Sequence, residues 1–228
     1  MHADPLVSCI CPTHGRVPML RRAVSCFLSQ TYRSRELLVL YQEDDHISRD
    51  YLAGLGEPSV LPVEIPCSPR LSTGLLRNAA LEVARGHYVA LWDDDDWHGP
   101  TRLAEQISAI ASTAKPGCVL SRLVLYDGLT QSAFLSATRT WEGSLVAERT
   151  AVPAFPDLRQ GSDTPSINRM LGDRTLVGLD RPELYIYVYH GGNTWNRAHW
   201  EANLLGFAHP LSRDDSDRVR SLLTLERE

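Results

Sequence analysis

Apolar and polar residues follow two distinct patterns in the first half of the chain. Short apolar runs without internal alternation predict strands that are buried on both faces. These runs occupy residues 6–11, 36–41, 60–65 and 87–92. Apolar residues at spacings of three and four predict helices over residues 20–28, 75–84 and 103–111. This strand–helix order is typical of an α/β fold with a mostly parallel central sheet flanked by helices.

The second half of the chain carries weaker patterns. Strands are predicted over residues 117–127, 131–139 and 184–190. Helices are predicted over residues 163–172 and around Leu222, Leu223 and Leu225. Residues 51–59 and 141–165 are rich in polar and turn-forming residues without a clear period, so neither a helix nor a strand is predicted there before the helix at 163–172. Gly86 follows the helix at 75–84 and is predicted to cap its C-terminus.

Composition and charge indicate a folded protein that does not bind nucleic acid through a basic surface. The 228 residues carry 28 acidic and 23 basic side chains, a formal net charge of −5. A non-specific nucleic-acid binder needs a net basic face. Hydrophobic residues make up 43% of the chain, which is too many for a disordered protein. The length suits one α/β domain, and no repeat or low-complexity linker divides it.

Targeting signals and cysteine usage predict a cytoplasmic protein. No window approaches the roughly 18 apolar residues that a membrane-spanning helix needs. Residues 1–11 lack the basic and apolar regions of a signal peptide. The five cysteines form no Cys-x-x-Cys motif, and Cys9, Cys11 and Cys26 lie among apolar neighbours. We therefore expect reduced thiols and a cytoplasmic location, with peripheral attachment to a membrane left open.

Four consecutive aspartates, residues 93–96, follow the predicted strand at 87–92, and we call them the acid loop. Carboxylates held this close repel one another, and a bound cation compensates that repulsion. Open α/β sheets bind ligands at the carboxyl ends of their strands, and Mg²⁺ and Mn²⁺ prefer carboxylate oxygens. Alternate residues of an extended segment point the same way, so Asp93 and Asp95 are predicted metal ligands. The alternative is a solvated acidic loop.

The order of several short motifs resembles that of the family 2 glycosyltransferases, which have the GT-A fold. The matching motifs are Pro-Thr-His-Gly-Arg at 12–16, Gln-Thr-Tyr at 30–32, Arg-Asn-Ala-Ala at 77–80, Gly86, the strand at 87–92, the acid loop, Pro100, Leu103 and Gln106. The similarity covers residues 6 to 106 and rests on the order and spacing of the motifs. It implies one GT-A-like, Rossmann-type catalytic domain over residues 1–210, followed by a helical tail over 211–228. Residues 1–110 would bind the nucleotide sugar and residues 111–210 the acceptor.

The resemblance also implies which residues contact the donor nucleotide. The candidates are Pro12, Thr13, Arg16, Asp44, Asp45, Arg77, Asp93 and Asp94. The family usually carries Asp-Asp-Gly-Ser after its second strand, with an acid at the uracil. This chain has Tyr-Gln-Glu-Asp-Asp at 41–45, so Asp44 or Asp45 is the candidate for that contact, and Gly15 replaces the usual Asn of the first motif. The alternatives are a solvated turn for Asp45 and a helix-surface position for Arg77.

Two residues of the second half are candidates for catalysis on the same resemblance. The family often has a Glu-Asp pair at the start of a helix, and this chain has Ser162 and Asp163 in that frame. Asp163 is therefore the predicted general base, and a helix N-cap is its alternative. His190 precedes Gly191 and Gly192 and is predicted to join Asp93 and Asp95 at the metal. Its alternative is a structural role at a strand end.

These features together predict a metal-dependent, inverting glycosyltransferase of the hexosyltransferase type. The expected donor is a nucleoside-diphosphate sugar, most simply a UDP-sugar, and the expected cofactor is Mn²⁺ or Mg²⁺. The acceptor is left open among a glycan, a lipid-linked glycan, a protein, a small molecule and a modified nucleic acid, and so is the oligomeric state. Trp141, Trp195 and Trp200 are candidates for stacking on a sugar ring. The alternatives are a nucleotide-sugar-binding protein without transfer activity, a sugar nucleotidyltransferase and a metal phosphohydrolase.

Overall fold

The computed structural model describes residues 4–224. The strands are β1 (Val7–Pro12), β2 (Arg35–Gln42), β3 (Val60–Ile65), β4 (Tyr88–Leu91), β5 (Trp97–His98), β6 (Gly117–Leu120), β7 (Val124–Asp127), β8 (Ser132–Leu135), β9 (Trp141–Glu148), β10 (Leu176–Leu179), β11 (Tyr185–Tyr189) and β12 (His209–Pro210). The helices are α1 (Val17–Leu28), α2 (His46–Leu55), α3 (Thr73–Val83), α4 (Arg102–Thr113), α5 (Asp163–Gly172), α6 (Arg197–His199) and α7 (Arg213–Thr224). A π-helical turn, Trp200–Leu204, continues α6.

The central strands form because their residues are apolar on both faces. β1, β2 and β4 are buried along nearly their whole length. One face of the sheet packs against α1 and α4 in a cluster that includes Cys9, Leu20 and Val39. The other face packs against α3 in a cluster that includes Ile10 and Ala80. Side chains alternate between the two faces of a strand, so an unbroken apolar run fills both clusters at once.

Within residues 4–224, seven strands form the main sheet in the order β10-β6-β9-β4-β1-β2-β3. The pairs β4–β1, β1–β2, β2–β3 and β10–β6 are parallel. β9 runs antiparallel to both β4 and β6. The predicted α/β class with a mostly parallel central sheet is therefore confirmed.

A second sheet, also within the described residues, has the order β12-β8-β7-β11-β5. Its edge strand β5 pairs antiparallel with β11, so that Trp97 lies opposite Ile186 and His98 opposite Tyr185. The chain passes directly from β4 of the main sheet to β5 of the second sheet through residues 92–96. The acid loop therefore lies where the two sheets meet.

Three parts of the sequence-based element prediction are wrong. Residues 51–59 belong partly to α2, whose apolar face is too narrow to show a clear period because Leu52 is its one buried apolar residue. Residues 141–148 form β9, in which Glu142, Gly143 and Ser144 interrupt the apolar pattern. The predicted strand at 117–127 is two strands, β6 and β7, which belong to different sheets.

The C-terminal helix is confirmed as α7, although Leu225 lies outside the described residues. Val219 and Leu223 of α7 pack into the main apolar cluster. Over residues 4–224, no helix combines the length and the apolar character that crossing a bilayer requires.

The predicted C-cap role of Gly86 is wrong, because Ala84 caps α3. Gly86 instead lies against the backbone at the start of β1. A Cβ atom on Gly86 would be 2.5 Å from the carbonyl oxygen of Tyr88 and 2.6 Å from the backbone nitrogen of Ser8. Both neighbours are backbone atoms, so this position excludes a side chain.

We expect Gly86→Ala to lower the free energy of unfolding by about 1–3 kcal/mol, as overpacking of a close backbone contact does. The measurement is the urea unfolding midpoint at an unchanged slope. Gly54→Ala is the matched control, since Gly54 lies in α2 with no atom within 4 Å of the added Cβ. Alanine should there stabilise the helix by about 0.5–1 kcal/mol. Equal midpoints for Gly86→Ala and the unmodified protein would contradict this explanation.

Candidate active site

The four carboxylates of the acid loop have different partners. Asp94 and Asp96 are almost fully buried, whereas Asp93 and Asp95 keep partial exposure. Arg16 from the loop after β1 and Arg77 from α3 both extend toward this loop. The acidic run is therefore not a solvated loop: its charge is balanced by two arginines that are distant in sequence.

Asp96 connects the acid loop to the second sheet. Its carboxylate accepts hydrogen bonds from the Tyr185 hydroxyl at 2.5 Å and from the backbone N–H of Val188 at 2.9 Å, both in β11. Burial raises the pKa of Asp96 well above its usual range, and Asp95 adds to the effect. The role of Asp96 is thus to hold the loop in place, and it leaves the other three carboxylates for a ligand.

Arg16 bridges Asp94 and Asp95. Its guanidinium donates to Asp94 at 2.5 Å and to Asp95 at 3.0 Å, and the Thr13 hydroxyl donates to Asp94 at 2.6 Å. Burial and the nearby charge of Asp95 raise the pKa of Asp94 to about 7, and the charge of Arg16 compensates for them only in part. Gly15 has a φ of +66°. Glycine and asparagine both tolerate this left-handed conformation, which explains Gly15 in a motif that usually carries Asn.

Asp95 and His190 lie together as the sequence analysis predicts. Asp95 Oδ2 is 3.3 Å from His190 Nε2, and each side chain is 17% exposed. Burial by itself would raise the pKa of Asp95, but the hydrogen bond from His190 and the charge of Arg16 outweigh it and lower the pKa. His190 follows β11, and its backbone N–H donates to the side chain of Asn193. The loop after β11 thus holds the imidazole at the acid loop.

The donor atoms of Asp95 and His190 have the spacing that two ligands of one divalent ion would have. Two ligands of one octahedral ion at about 2.1 Å lie roughly 3 Å apart when they are adjacent. Among residues 4–224, no group of three or more His, Cys, Asp and Glu side chains could hold a metal ion. Asp93, the third predicted ligand, is paired with Arg77 instead. A metal here would therefore need oxygen ligands from a phosphate group or from water to complete its coordination.

Arg77 connects Asp93 to the start of α5. Its guanidinium donates to Asp93 at 2.9 Å and to the Ser162 hydroxyl at 3.1 Å, and lies 3.8 Å from the Asp163 carboxylate. Arg77 is 4% exposed, so the alternative of a helix-surface arginine is wrong. Burial works to lower the pKa of Arg77, but Asp93 and Asp163 outweigh it and raise the pKa. Arg77 therefore stays positively charged beside both carboxylates.

Asp163 is the first residue of α5, and Ser162 occupies the N-cap position without a side-chain capping bond. The N-cap alternative for Asp163 is therefore wrong. A carboxylate in the first turn of a helix is stabilised by the helix dipole. The Asp163 side chain is 19% exposed, so it combines a fixed position with access to a ligand.

Asp44 and Asp45 do not enter the same site as the other candidates. Asp44 is exposed. Asp45 is 3% exposed, and its carboxylate accepts from the N–H groups of Ser48 at 3.2 Å and Gly15 at 2.7 Å. Burial opposes the charge of Asp45, but these bonds outweigh it and lower the pKa. Asp45 thus caps α2 and fixes the loop after β1, so the alternative of a solvated turn residue is wrong.

Gln42, the last residue of β2, is absent from the predicted site residues. Its side chain is buried, and the amide nitrogen has no hydrogen-bond partner. Alternation along β2 places Gln42 on the same face as Leu40, which pairs with Pro12. An unpaired buried amide costs about 1–3 kcal/mol, so this group is a candidate for contact with a ligand. The available signal was a polar residue at the end of an apolar strand, where the family usually has an acid.

A second feature missing from the prediction lies beneath the acid loop. Arg102 is fully buried, and it donates to His98 Nδ1 at 2.6 Å and to the carbonyl of Leu91 at 3.0 Å. His98 Nε2 lies 3.3 Å from the carbonyl oxygen of Asp93. Burial, with the charge of Arg102, holds the pKa of His98 well below its usual value, so the ring is neutral. Arg102 therefore places positive charge under the four carboxylates.

A cavity of about 380 Å³ opens above these side chains. The predicted residues on its wall are Pro12, Thr13, Arg16, Arg77, Asp93, Asp94, Asp95 and Asp163. His190 does not line the cavity itself but contacts Asp95, which does. Tyr187, Asn193 and Trp195 complete the wall from the second sheet and the loop after β11. Residues that are far apart in the sequence thus converge on one polar cavity.

The three candidate tryptophans differ in exposure. Trp200 is 1% exposed and stacks on Tyr187 and Tyr189, so it belongs to the core and is not available to a sugar. Trp141 is largely buried in the same cluster. Trp195 is 38% exposed.

Solved structures with the same architecture include glycosyltransferases. TarS 1–349 of S. aureus in complex with UDP-GlcNAc matches with a TM-score of 0.68 at 15% identity, over 97% of this chain and 66% of that chain. The mannosyltransferase PcManGT from Pyrobaculum calidifontis, in complex with GDP-Man and Mn²⁺, matches with a TM-score of 0.63 at 15% identity, over 86% of this chain and 60% of that chain. The protein therefore has the GT-A fold.

Residues 8–151 match the sequence model of glycosyl transferase family 2, which is more than half of the chain, so the chain belongs to that family. The protein y4gI of Sinorhizobium fredii (strain NBRC 101917 / NGR234), described as uncharacterized, is 35% identical over 138 residues, 58% of this chain. WcaA of Escherichia coli (strain K12), named as a glycosyl transferase of colanic acid biosynthesis, is 29% identical over 183 residues, 78% of this chain. The chain spans 15% and 56% of the lengths of these two relatives.

Proposed function

We propose that this protein transfers a sugar from a nucleoside-diphosphate sugar to an acceptor hydroxyl, with inversion at the anomeric carbon. The observation that carries the proposal is the convergence of the acid loop, Arg16, Arg77 and Asp163 on one cavity in a chain of glycosyltransferase family 2. In this assignment residues 1–110 bind the donor and residues 111–210 bind the acceptor.

The donor diphosphate is assigned to the side of the cavity between Arg16 and the acid loop. Arg16 supplies a bidentate guanidinium, which suits phosphate oxygens. Asp93 and Asp94 are close enough to the same cavity to accept from ribose hydroxyls. Pro12 and Thr13 form its wall at the end of β1.

A divalent ion, Mn²⁺ or Mg²⁺, is assigned to Asp95 and His190. When bound between these two residues, the ion would supply Lewis acidity for the negative charge of the departing diphosphate. PcManGT, which is described in complex with GDP-Man and Mn²⁺, supports such an ion in this fold. Arg16 contacts the same oxygen of Asp95, so the arginine contributes positive charge at the leaving group as well.

Asp163 is assigned as the general base. Its carboxylate takes the proton from the acceptor hydroxyl while the acceptor oxygen forms a bond to the anomeric carbon. The bond between that carbon and the diphosphate oxygen breaks, and the nucleoside diphosphate leaves with the electron pair. Attack from the face opposite the leaving group inverts the anomeric configuration. Arg77 holds Asp163 and Asp93 in one cluster and places a positive charge beside both carboxylates.

A uracil base is the best match for the nucleotide, and Gln42 is its proposed contact. A glutamine amide offers one acceptor and two donors, which complements the N3–H donor and carbonyl acceptors of uracil. Neighbours of the same fold are described with UDP-GlcNAc and with GDP-Man. The unpaired amide nitrogen of Gln42 is the reason that Gln42, rather than Asp44 or Asp45, is the proposed contact, and the neighbour described with UDP-GlcNAc supports uracil.

The test is a panel of UDP, GDP, ADP, CDP and dTDP, each with and without Mn²⁺, measured by the shift of the thermal unfolding midpoint. Binding to the folded state at one hundred times the dissociation constant stabilises by about 2.7 kcal/mol. We expect the largest shift from UDP with Mn²⁺ and a much smaller one in the presence of a chelator. No shift with any nucleoside diphosphate would overturn the proposal.

Release of nucleoside diphosphate from the matching sugar nucleotide then separates a transferase from a protein that only binds the donor. Turnover that depends on an added acceptor identifies a transferase. Binding without any release would identify the non-catalytic alternative.

A further inference from the structure

A second cavity of about 250 Å³ adjoins the donor cavity. The residues that line both are Asp93, Asp96, Gly161, Asp163, Tyr187 and Trp195. Asp163 is therefore accessible from either side of this common wall. A hydroxyl group in the second cavity can reach the carboxylate that also faces the donor.

Aromatic side chains form much of the wall of the second cavity. They are Trp141, Tyr185, Tyr187 and Trp195. His199 stacks on Trp195 with ring centroids 4.1 Å apart and an interplanar angle of 14°. This contact holds the exposed ring of Trp195 in the wall of the second cavity. Rigid aromatic surfaces of this kind bind the apolar C–H faces of pyranose rings through dispersion and burial of apolar area.

Polar side chains also line the second cavity, among them Arg139, Glu142 and Asn203. The Glu142 carboxylate is 3.3 Å from the Arg139 guanidinium, which in turn lies 4.7 Å over the ring of Trp141. The amide of Asn203 lies 3.2 Å from His199 Nδ1. A carboxylate and an amide at the edge of an aromatic wall are the groups that bind sugar hydroxyls.

The charge of the second cavity disfavours an anionic ligand. Its wall holds the carboxylates of Asp93, Glu142 and Asp163, and also Asp96, whose raised pKa favours the neutral form. Arg77 lies beside Asp93 and Asp163, and Arg139 pairs with Glu142, so an excess of one negative charge remains. A phosphate, sulfate or carboxylate group would be repelled here, and repulsion of this kind excludes competing ligands. The volume is below the roughly 300–1,000 Å³ of sites for drug-sized ligands, and it suits one monosaccharide unit.

We infer that the second cavity binds the acceptor, and that the acceptor is a neutral pyranose residue of a saccharide. This inference rests on the proposed function, because it supplies the hydroxyl on which Asp163 acts. Trp195 packs on the sugar ring, while Glu142 and Asn203 accept and donate hydrogen bonds to its hydroxyls. Glu142, together with Asp93 and Asp163, disfavours acidic sugars in the cavity.

The experiment uses the full 228-residue chain with saturating UDP and Mn²⁺. Saturation-transfer difference NMR compares methyl glucoside, methyl galactoside and methyl mannoside with the anionic methyl glucuronide. We expect at least one neutral glycoside to bind more tightly than the glucuronide. Glu142→Gln should lower the affinity for that neutral glycoside about tenfold. It should also reduce the difference in affinity between the neutral glycoside and the glucuronide. Asn203→Ala is a second variant in the same cavity wall. It should lower the affinity for the neutral glycoside, while the ratio of the affinities for neutral glycoside and glucuronide stays the same as in the unmodified protein.

Glu201→Gln is the matched control, because Glu201 is an exposed glutamate that also pairs with an arginine, Arg197, but lies outside both cavities. UDP affinity, measured by calorimetry on the same samples, reports the donor site separately. If UDP binds and no neutral glycoside does, or if the glucuronide binds best, the acceptor inference is overturned and the proposed function stands. Glycoside binding that Glu142→Gln and Asn203→Ala leave unchanged overturns the inference as well. Failure of UDP, GDP, ADP, CDP and dTDP alike to bind the unmodified chain overturns the proposed function itself.

Discussion

Asp163→Asn should lower the rate of sugar transfer by about 10²–10⁴-fold, the usual contribution of a positioned general base. Asparagine keeps the shape of the side chain but cannot take a proton from the acceptor. Donor affinity should stay nearly the same, because Arg77 retains its bonds to Asp93 and Ser162. The measurement is acceptor-dependent release of nucleoside diphosphate, with donor affinity determined by calorimetry.

Asp173→Asn is the control for this variant. Asp173 is exposed, caps the other end of the same helix and lies outside both cavities. Its transfer rate should equal that of the unmodified protein. A wild-type rate for Asp163→Asn would mean that another group takes the proton.

Asp95→Ala should lower transfer by about a thousandfold or more, since Lewis-acid stabilisation of a leaving group is worth several kcal/mol and each 1.4 kcal/mol is a factor of ten. It should also remove the effect of Mn²⁺ on UDP affinity, because His190 alone is a weak site. Folding should be preserved, since the change relieves repulsion from Asp94 and leaves Arg16 paired with Asp94.

Two readouts separate the metal from a general loss of structure. Electron paramagnetic resonance of added Mn²⁺ should report bound ion in the unmodified protein with UDP and only free ion in Asp95→Ala. His190→Ala should give an intermediate loss of bound ion, and Asp173→Ala should give none. Transfer that persists at the normal rate in a chelator would show that Arg16 and Arg77 suffice for the leaving group.

The sequence predicts those parts of the molecule that depend on local pattern. The strands at 6–11, 36–41 and 87–92 and the helix at 163–172 appear as β1, β2, β4 and α5 because each has an unbroken apolar run or a helical period. β9 is not predicted because the half of the strand that faces the candidate site is polar. Burial of a polar side chain such as Ser144 is offset by a hydrogen bond from the backbone N–H of Leu120, and this bond forms only in the folded protein.

The candidate site shows the same division. Residue type, position and the family resemblance single out Asp95, Asp163 and His190. They also name Arg16 and Arg77, but as contacts of the nucleotide and not as partners of the acid loop. Arg16 lies 78 and 79 residues from the carboxylates that it contacts. Contacts between residues so far apart leave no periodic signal in the sequence. The second cavity leaves none either, because its wall combines residues of β9, the start of α5 and the loop after β11. An unpaired amide such as that of Gln42 becomes visible only when its surroundings are known.

The bonds from Tyr185 and Val188 to Asp96 constrain how acceptor preference can change during evolution or engineering. These bonds tie β11 to the acid loop, so a substitution that shifts β11 also shifts the groups assigned to the donor. Glu142 and Asn203 line the second cavity, and within residues 4–224 their hydrogen bonds go to Arg139 and His199 and not to the acid loop. These two positions can therefore vary without loss of the bonds that hold the loop. A library aimed at new acceptors should therefore leave Tyr185 and Asp96 unchanged and diversify positions 142 and 203.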